Sequence, residues 1–209
     1  MHRLALLSLA LVLSLPAATL HAQPLEGTNP EAARALRESL ARGATVEYER
    51  VDLANQVRST VTLAAAGEDE YLFSHGIRLK DLTLQVSDSR HKYSPPMPLV
   101  QFPLAVGATW RYSGTVSERF GIRASQVDSL FTVKGRTVLV TAAGPRDAFE
   151  VHEARTYGGH VISVQRWYDA STGLMLKQVW KVVTINRQVA NQDIQNPGGD
   201  YNMTVTRIP

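Results

Sequence analysis

The spacing of hydrophobic positions changes once along this chain. In residues 30–42 the apolar side chains Ala32, Ala35, Leu36 and Leu40 fall on one narrow stripe at helical spacing. Thr28-Asn29-Pro30 offers a cap and a proline for the first helical position, Glu31 lies in the first turn, Arg42 in the last, and Gly43 follows as a stop. Together they predict one helix. From Thr45 onward the period is two: Val46, Tyr48, Val57, Val61 and Leu63 alternate with Glu47, Glu49, Arg58 and Thr62. This pattern predicts half-buried strands, with a hairpin turn at 53–56 and an acidic one at 67–70. Further strands are expected over 71–73 and 77–86, where Asp81 interrupts the alternation as a bulge or a split.

Residues 94–114 divide the pattern. Pro95, Pro96, Pro98 and Pro103 lack the backbone donors that a strand or helix interior needs, and Gly107 releases the chain into the alternating Trp110 and Tyr112. The stretch reads as a rigid crossover over 94–107, between a first strand set at 44–93 and a second at 108–209. In the second set, strands are expected at 109–117, 127–133, 138–142, 148–157, 161–168 and 174–185, with a closing strand from Tyr201 to Val205. Turns are expected at Lys134-Gly135-Arg136, at Ala143-Gly144-Pro145-Arg146, at Gly158-Gly159 and at residues 169–173. The Asn/Gln-rich tail at 186–200 reads as a loop.

The segment 174–185 is apolar on both faces: Leu174, Leu176, Trp180 and Val182 on one, Met175, Val179, Val183 and Ile185 on the other. A strand of an open sheet with one wet face alternates more cleanly. Either it is a central strand covered on both sides, by the helix and another sheet layer, or it lines a curved half-barrel whose concave face is an apolar cavity. The fold class these patterns predict is mainly β: a curved antiparallel sheet or half-barrel with one N-terminal helix packed on it, in a single β-rich domain over 23–209.

Composition sets the compartment. Arg3, the apolar run at 4–15, Pro16 and a small-residue stretch ending at Ala22 describe a secretory signal peptide over 1–22, too short to span a bilayer. The remaining chain holds no run of the roughly 20 apolar residues that a transmembrane helix needs. A periplasmic or secreted protein is therefore expected, with no membrane span after cleavage. Cysteine is absent, which excludes a lipidated cysteine, disulfides, a thiolate nucleophile and a cysteine zinc site together. The formal charge of +3 falls by one when Arg3 leaves, and basic residues are scattered among acidic ones, which offers no footprint for nucleic acid.

The inventory of reactive side chains is sparse. His75, His91, His152 and His160 remain after cleavage, none at metal-ligand spacing to another, and His152 shares an outward strand face with Glu150 as an expected ion pair. His75 and His160 read as turn residues. No G-x-S-x-G turn is present. Asp128, Glu150, Glu153 and Asp169 could form a hydrolytic carboxylate pair only if the fold brings two of them together. No catalytic residue, metal or cofactor is assigned. Aromatic residues of the second strand set are the better clue: Trp110, Tyr112, Trp167, Tyr168 and Trp180 either pack a core or line a ligand pocket.

With Phe102-Pro103-Leu104, Val106-Gly107, Trp110 and Tyr112 followed by Phe149-Glu150-Val151 and then Trp167-Tyr168-Asp169, Thr172-Gly173 and Leu176-Lys177, residues 101–178 resemble a loose group of exported bacterial β-proteins of unknown function. Their shared pattern is F-P-L-x-V-G-x-x-W-x-Y, then W-Y-x-x-x-x-G-x-x-K. The resemblance implies a curved antiparallel sheet in a periplasmic or secreted setting and brings no catalytic residues. Such sheets also look similar to those of periplasmic carriers of lipoproteins, an analogy of fold alone. The function expected is that of a non-enzymatic exported protein binding an apolar small molecule or lipid on a concave sheet face. The alternative is an envelope structural or assembly protein docked on a protein partner, with an envelope hydrolase the third reading.

Overall fold

A computed structural model of the chain describes residues 29–88, 91–118, 124–184 and 199–209. The expected signal peptide and most of the Asn/Gln-rich tail lie outside the described residues. One helix, α1 (Pro30–Ala41), precedes twelve strands: β1 (Val46–Asp52), β2 (Arg58–Gly67), β3 (Glu70–Phe73), β4 (Arg78–Lys80), β5 (Leu84–Ser87), β6 (His91–Pro98), β7 (Thr109–Glu118), β8 (Ala124–Thr141), β9 (Gly144–Tyr157), β10 (His160–Asp169), β11 (Met175–Thr184) and β12 (Tyr201–Arg207). Each strand pairs antiparallel with its neighbours in sequence, and β12 pairs back onto β1, with Asp52 opposite Tyr201 and Arg50 opposite Met203. The sheet is a closed up-and-down barrel, carrying the expected curvature to full closure.

Alternation explains which side chains fill it. Tyr48, Val61, Leu63, Phe131, Val133, Val151, Ile162, Val164, Leu176, Met203 and Val205 point inward and are buried. Outward positions of the same strands carry Glu47, Glu49, Arg58, Asp128, Glu150, Lys177 and Lys181, and β7 carries Arg111 outward. The charged residues at these outward positions are the inverse of a barrel that crosses a bilayer, whose outer band is apolar. Among the described residues no helix is long and apolar enough to cross a membrane.

The helix closes one end. Asn29 caps it, its side chain accepting from the amides of Glu31 (3.0 Å) and Ala32 (3.3 Å), and Gly43 with φ +94 turns the chain out of it. The Asn29 amide donates to the Ser171 carbonyl (2.9 Å) in the β10–β11 turn, and the helix packs on β2, so its roughly 18 Å length spans the barrel end. The buried stripe is Ala33, Leu36 and Leu40 rather than one including Ala35, which is exposed. Since Leu36 and Leu40 must face the barrel, the helix is rotated until Ala33, one turn before them, joins them.

Three sequence expectations are corrected. Lys134-Gly135-Arg136 is not a turn: β8 runs through it with a bulge between Val133 and Gly135, which bends the strand without ending it. The prolines do not end the first strand set either, because β6 continues to Pro98. Pro95 and Pro96 fall where its pairing is interrupted, between Lys92 opposite Ser87 and Met97 opposite Gln85, so no ladder donor is missing. Finally, the outer face of β11 is not covered, since Val183 is 63% exposed. Of the two explanations for its two apolar faces, the concave wall of a barrel is the one realised. Asp81 is a split: it and Leu82 take positive φ between β4 and β5.

Candidate functional site: a polar and apolar cavity in the barrel

Inward alternation on three adjacent strands places charged and polar residues where apolar ones are expected. On β9 they are Glu153 and Arg155, on β10 Arg166, and on β11 Gln178, all buried. Glu153 joins two guanidiniums: Arg155 donates from Nε to Oε1 (2.6 Å) and from Nη2 to Oε2 (3.1 Å), while Arg166 Nη1 donates to Oε2 (2.7 Å). Ser129 Oγ donates to Oε1 (2.8 Å). Arg166 Nε donates to Gln178 Oε1 (2.8 Å), and Gln178 Nε2 donates to the Tyr201 hydroxyl (2.5 Å). Burial alone would push the Glu153 carboxyl up, but the charges and hydrogen bonds of Arg155 and Arg166 bring it down to about 2. The network is therefore ionised, with two positive charges against one negative.

These groups border a cavity of about 180 Å³. Its apolar side is made by Ile77, Leu79, Leu82 and Leu99, with the rings of Tyr93 and Tyr168 beside them. Arg50, Arg155, Arg166, Gln178, Trp180 and Tyr201 make the opposite, polar side, and His75, Gln85 and Asp88 also border it. A cavity of ~150 Å³ accepts a benzene molecule, so this one has room for a small organic ligand. The α1 end is filled by Leu36, Leu40, Leu104 and Leu174. Arg50, His75 and Tyr201 sit near the opposite end, which carries the turns at 53–57, 74–77 and 158–159.

Among the residues that line this space, three buried polar atoms have no hydrogen-bond partner among the described residues: Nε1 of Trp180 and both ring nitrogens of His75. The His75 imidazole is pushed down to about 4 by burial and by the nearby Arg50 charge, so it is neutral above that pH. Burial raises the Tyr93 and Tyr168 hydroxyls well above the usual tyrosine range.

Of the aromatic residues singled out by sequence, two border the cavity. Trp180 stacks on Tyr201 at 6.0 Å, and Tyr168 donates its hydroxyl to the Leu99 carbonyl (3.2 Å). Trp110 and Tyr112 are packed in the core instead, with Trp110 stacked on Phe131 at 5.0 Å and donating to the Pro98 carbonyl (3.2 Å). Tyr112 donates to the Pro95 carbonyl (2.8 Å), its ring lying over Gly114. Trp167 has the outward parity of β10 and lies under the Lys177 ammonium at 4.9 Å, away from the cavity.

The four carboxylates considered for hydrolysis are kept apart. Asp128 and Glu150 point outward, Glu150 paired with His152, whereas Glu153 is interior and Asp169 accepts from the amides of Ser171 and Thr172 in the β10–β11 turn. Among the described residues no group of three or more His, Asp or Glu side chains could hold a metal ion. Sequence reasoning missed Arg50, Arg155, Arg166, Gln178 and His75. The signal was there in Glu153, Arg155, Arg166 and Gln178, polar residues at inward parity on consecutive strands.

The geometry defines a class: a closed, water-facing up-and-down barrel with a small interior cavity of mixed polarity. No protein-family model matches the chain, and no curated protein matches it. Among solved structures, the crystal structure of the hypothetical lipoprotein YmcC from Escherichia coli K12 is similar at 13% identity and a TM-score of 0.48, over 83% of this chain and 89% of that one.

Proposed function

We propose that this is a non-enzymatic exported protein that holds a small organic molecule inside its barrel. The observation that carries this reading is the cavity of about 180 Å³, walled by leucines on one side and by charged and polar side chains on the other, with Trp180 Nε1 and both His75 ring nitrogens among its lining residues left without a partner. Ligand sites combine a mostly apolar wall with a few placed polar groups in this way. A partly polar ligand fits the lining better than the purely apolar one that sequence patterning suggests. Export rests on the signal-peptide pattern at 1–22.

Native mass spectrometry of the protein purified from the periplasm of its own cells, followed by solvent extraction, tests the reading. A reproducible added mass that extracts as one small molecule is expected. A protein that arrives empty and shows no shift in unfolding temperature with any member of a small amphiphile panel would overturn it.

One observation favours docking on an envelope partner as a second reading. Beyond the start of β7, residues 135–141 of β8 pair only with β9, and Val138 and Val140 are 65% and 78% exposed. An unpaired strand edge can accept a strand from another protein. Crosslinking in cells from position 138 to an envelope protein, lost on Val140→Lys, is the result this second reading expects.

A further inference from the structure

We propose that the ligand of this cavity is an amphiphile with a single anionic group, seated between Arg155, Arg50 and the indole N–H of Trp180. This rests on the reading that the cavity binds a ligand, and it specifies the chemistry of that ligand.

Four side chains follow the barrel order β9, β11, β12, β1. Arg155 lies 5.2 Å over the Trp180 ring, Trp180 stacks on Tyr201, and Arg50 lies 4.1 Å over the Tyr201 ring. All four border the cavity. Arg155 uses Nε and one Nη2 hydrogen on Glu153, which leaves the Nη1 donors unused. No ion pair or hydrogen bond joins Arg50 to another described residue. Trp180 Nε1 is buried without an acceptor, and Tyr201, already accepting from Gln178, keeps its own proton to donate. These four side chains therefore bring several unused donors to one wall, where the two guanidiniums of Arg155 and Arg50 carry more positive charge than Glu153 offsets, while Asp88 borders the cavity from the side of Tyr93.

Arg50 is half-buried without an ion-pair partner among the described residues and Trp180 Nε1 is fully buried without an acceptor, and each carries a desolvation cost. One carboxylate or phosphate ester would relieve both, accepting several charge-assisted hydrogen bonds at once. The opposite wall of Leu79, Leu82 and Leu99 can offer an anion nothing. It suits an aliphatic or aromatic tail reaching toward the α1 end. Head and tail thus have separate seats, with the head near the end where Arg50 and Tyr201 lie.

The test compares octanoate, octanol and inorganic phosphate by calorimetric titration of the purified wild-type protein and of Trp180→Phe and Arg50→Gln. Octanoate should bind at least tenfold more tightly than octanol and far more tightly than phosphate. Each substitution should weaken octanoate about tenfold or more and leave octanol unchanged. Trp180→Phe retains an aromatic ring against Tyr201 and removes the unpartnered donor, and its smaller size should lower the unfolding temperature by only a few degrees, which keeps the test sound even where Arg50→Gln disturbs folding. Octanol equal to octanoate, or octanoate unaffected by Trp180→Phe, would overturn the anionic assignment while leaving a ligand cavity. Phosphate as tight as octanoate would overturn the tail. No binding of either eight-carbon probe would sink the cavity reading itself.

Discussion

Replacing Glu153 with Gln should destabilise the barrel by about 3–5 kcal/mol, the usual cost of breaking a buried ion pair from one side. The carboxylate is 1% exposed and holds Arg155 and Arg166, which are 4% and 2% exposed. Glutamine keeps the shape, but its single carbonyl oxygen cannot serve both guanidiniums, and its NH₂ would face one of them. Two buried cations would then stand with no anion between them. For a chain of this size each kcal/mol shifts the unfolding temperature by ~2–4 °C, so a fall of about 6–20 °C is expected at pH 7. The pH profile gives a second readout. The Glu153 pKa is 4.5 ordinarily and about 2 in the fold, so its contribution is complete above pH 4.5 and is lost as pH falls from 4.5 through 2. In Glu153→Gln that acid limb should vanish. Urea titration of both proteins at pH 7, 4.5 and 3 measures each quantity, with the m-value checking that the native state stays compact. A cost under 1 kcal/mol at pH 7 with an unchanged acid limb would refute the reasoning. Because the substitution raises the interior charge by one, octanoate should also bind the folded variant more tightly than wild type.

Other perturbations read other parts of the molecule. His75, lowered from 6.5 to about 4, makes stability fall as pH drops from 6.5 through 4, by on the order of 3 kcal/mol in all; His75→Phe should flatten thermal stability across that window and leave the Glu153 limb below it. At Gly114 an added Cβ would lie 2.3 Å from the Tyr112 hydroxyl and 3.0 Å from the Ser94 carbonyl. Gly114→Ala should cost about 1–3 kcal/mol in chemical denaturation, and combining it with Tyr112→Ala should cost clearly less than the two changes added together. Leu40→Ala, at a side chain with no exposure, should cost about 2–5 kcal/mol, read from the same titration, if the helix is part of the closed core.

Much of the barrel is legible in the sequence because strand parity is local. Val46, Tyr48, Val61 and Leu63 reveal their faces without knowledge of any partner, and the turns at Gly158-Gly159 and 169–173 fall where glycine and aspartate demand them. Closure is not local: it depends on β1 meeting β12 across the length of the chain, and no residue in either strand announces the other. Gly135 misleads because a glycine between basic residues serves a bulge as well as a turn. Half of the cavity was visible for the same reason as the strands, since Trp180 and Tyr168 have inward parity. The other half was hidden by chemistry, because arginine and glutamate within strands normally mark the wet side. Only the register that sets Arg166 opposite Gln178, with Val164 between Glu153 and Trp180, shows them as one interior network.

The helix laid across one end makes the barrel a vessel with a floor. A closed ladder cannot part its strands without breaking hydrogen bonds along their length, and the floor is tied down where Asn29 meets Ser171. Passage through that end would require the helix to lift away and this tie to break. On the proposed reading, a ligand held above this floor would be stored or handed over rather than passed along the barrel axis.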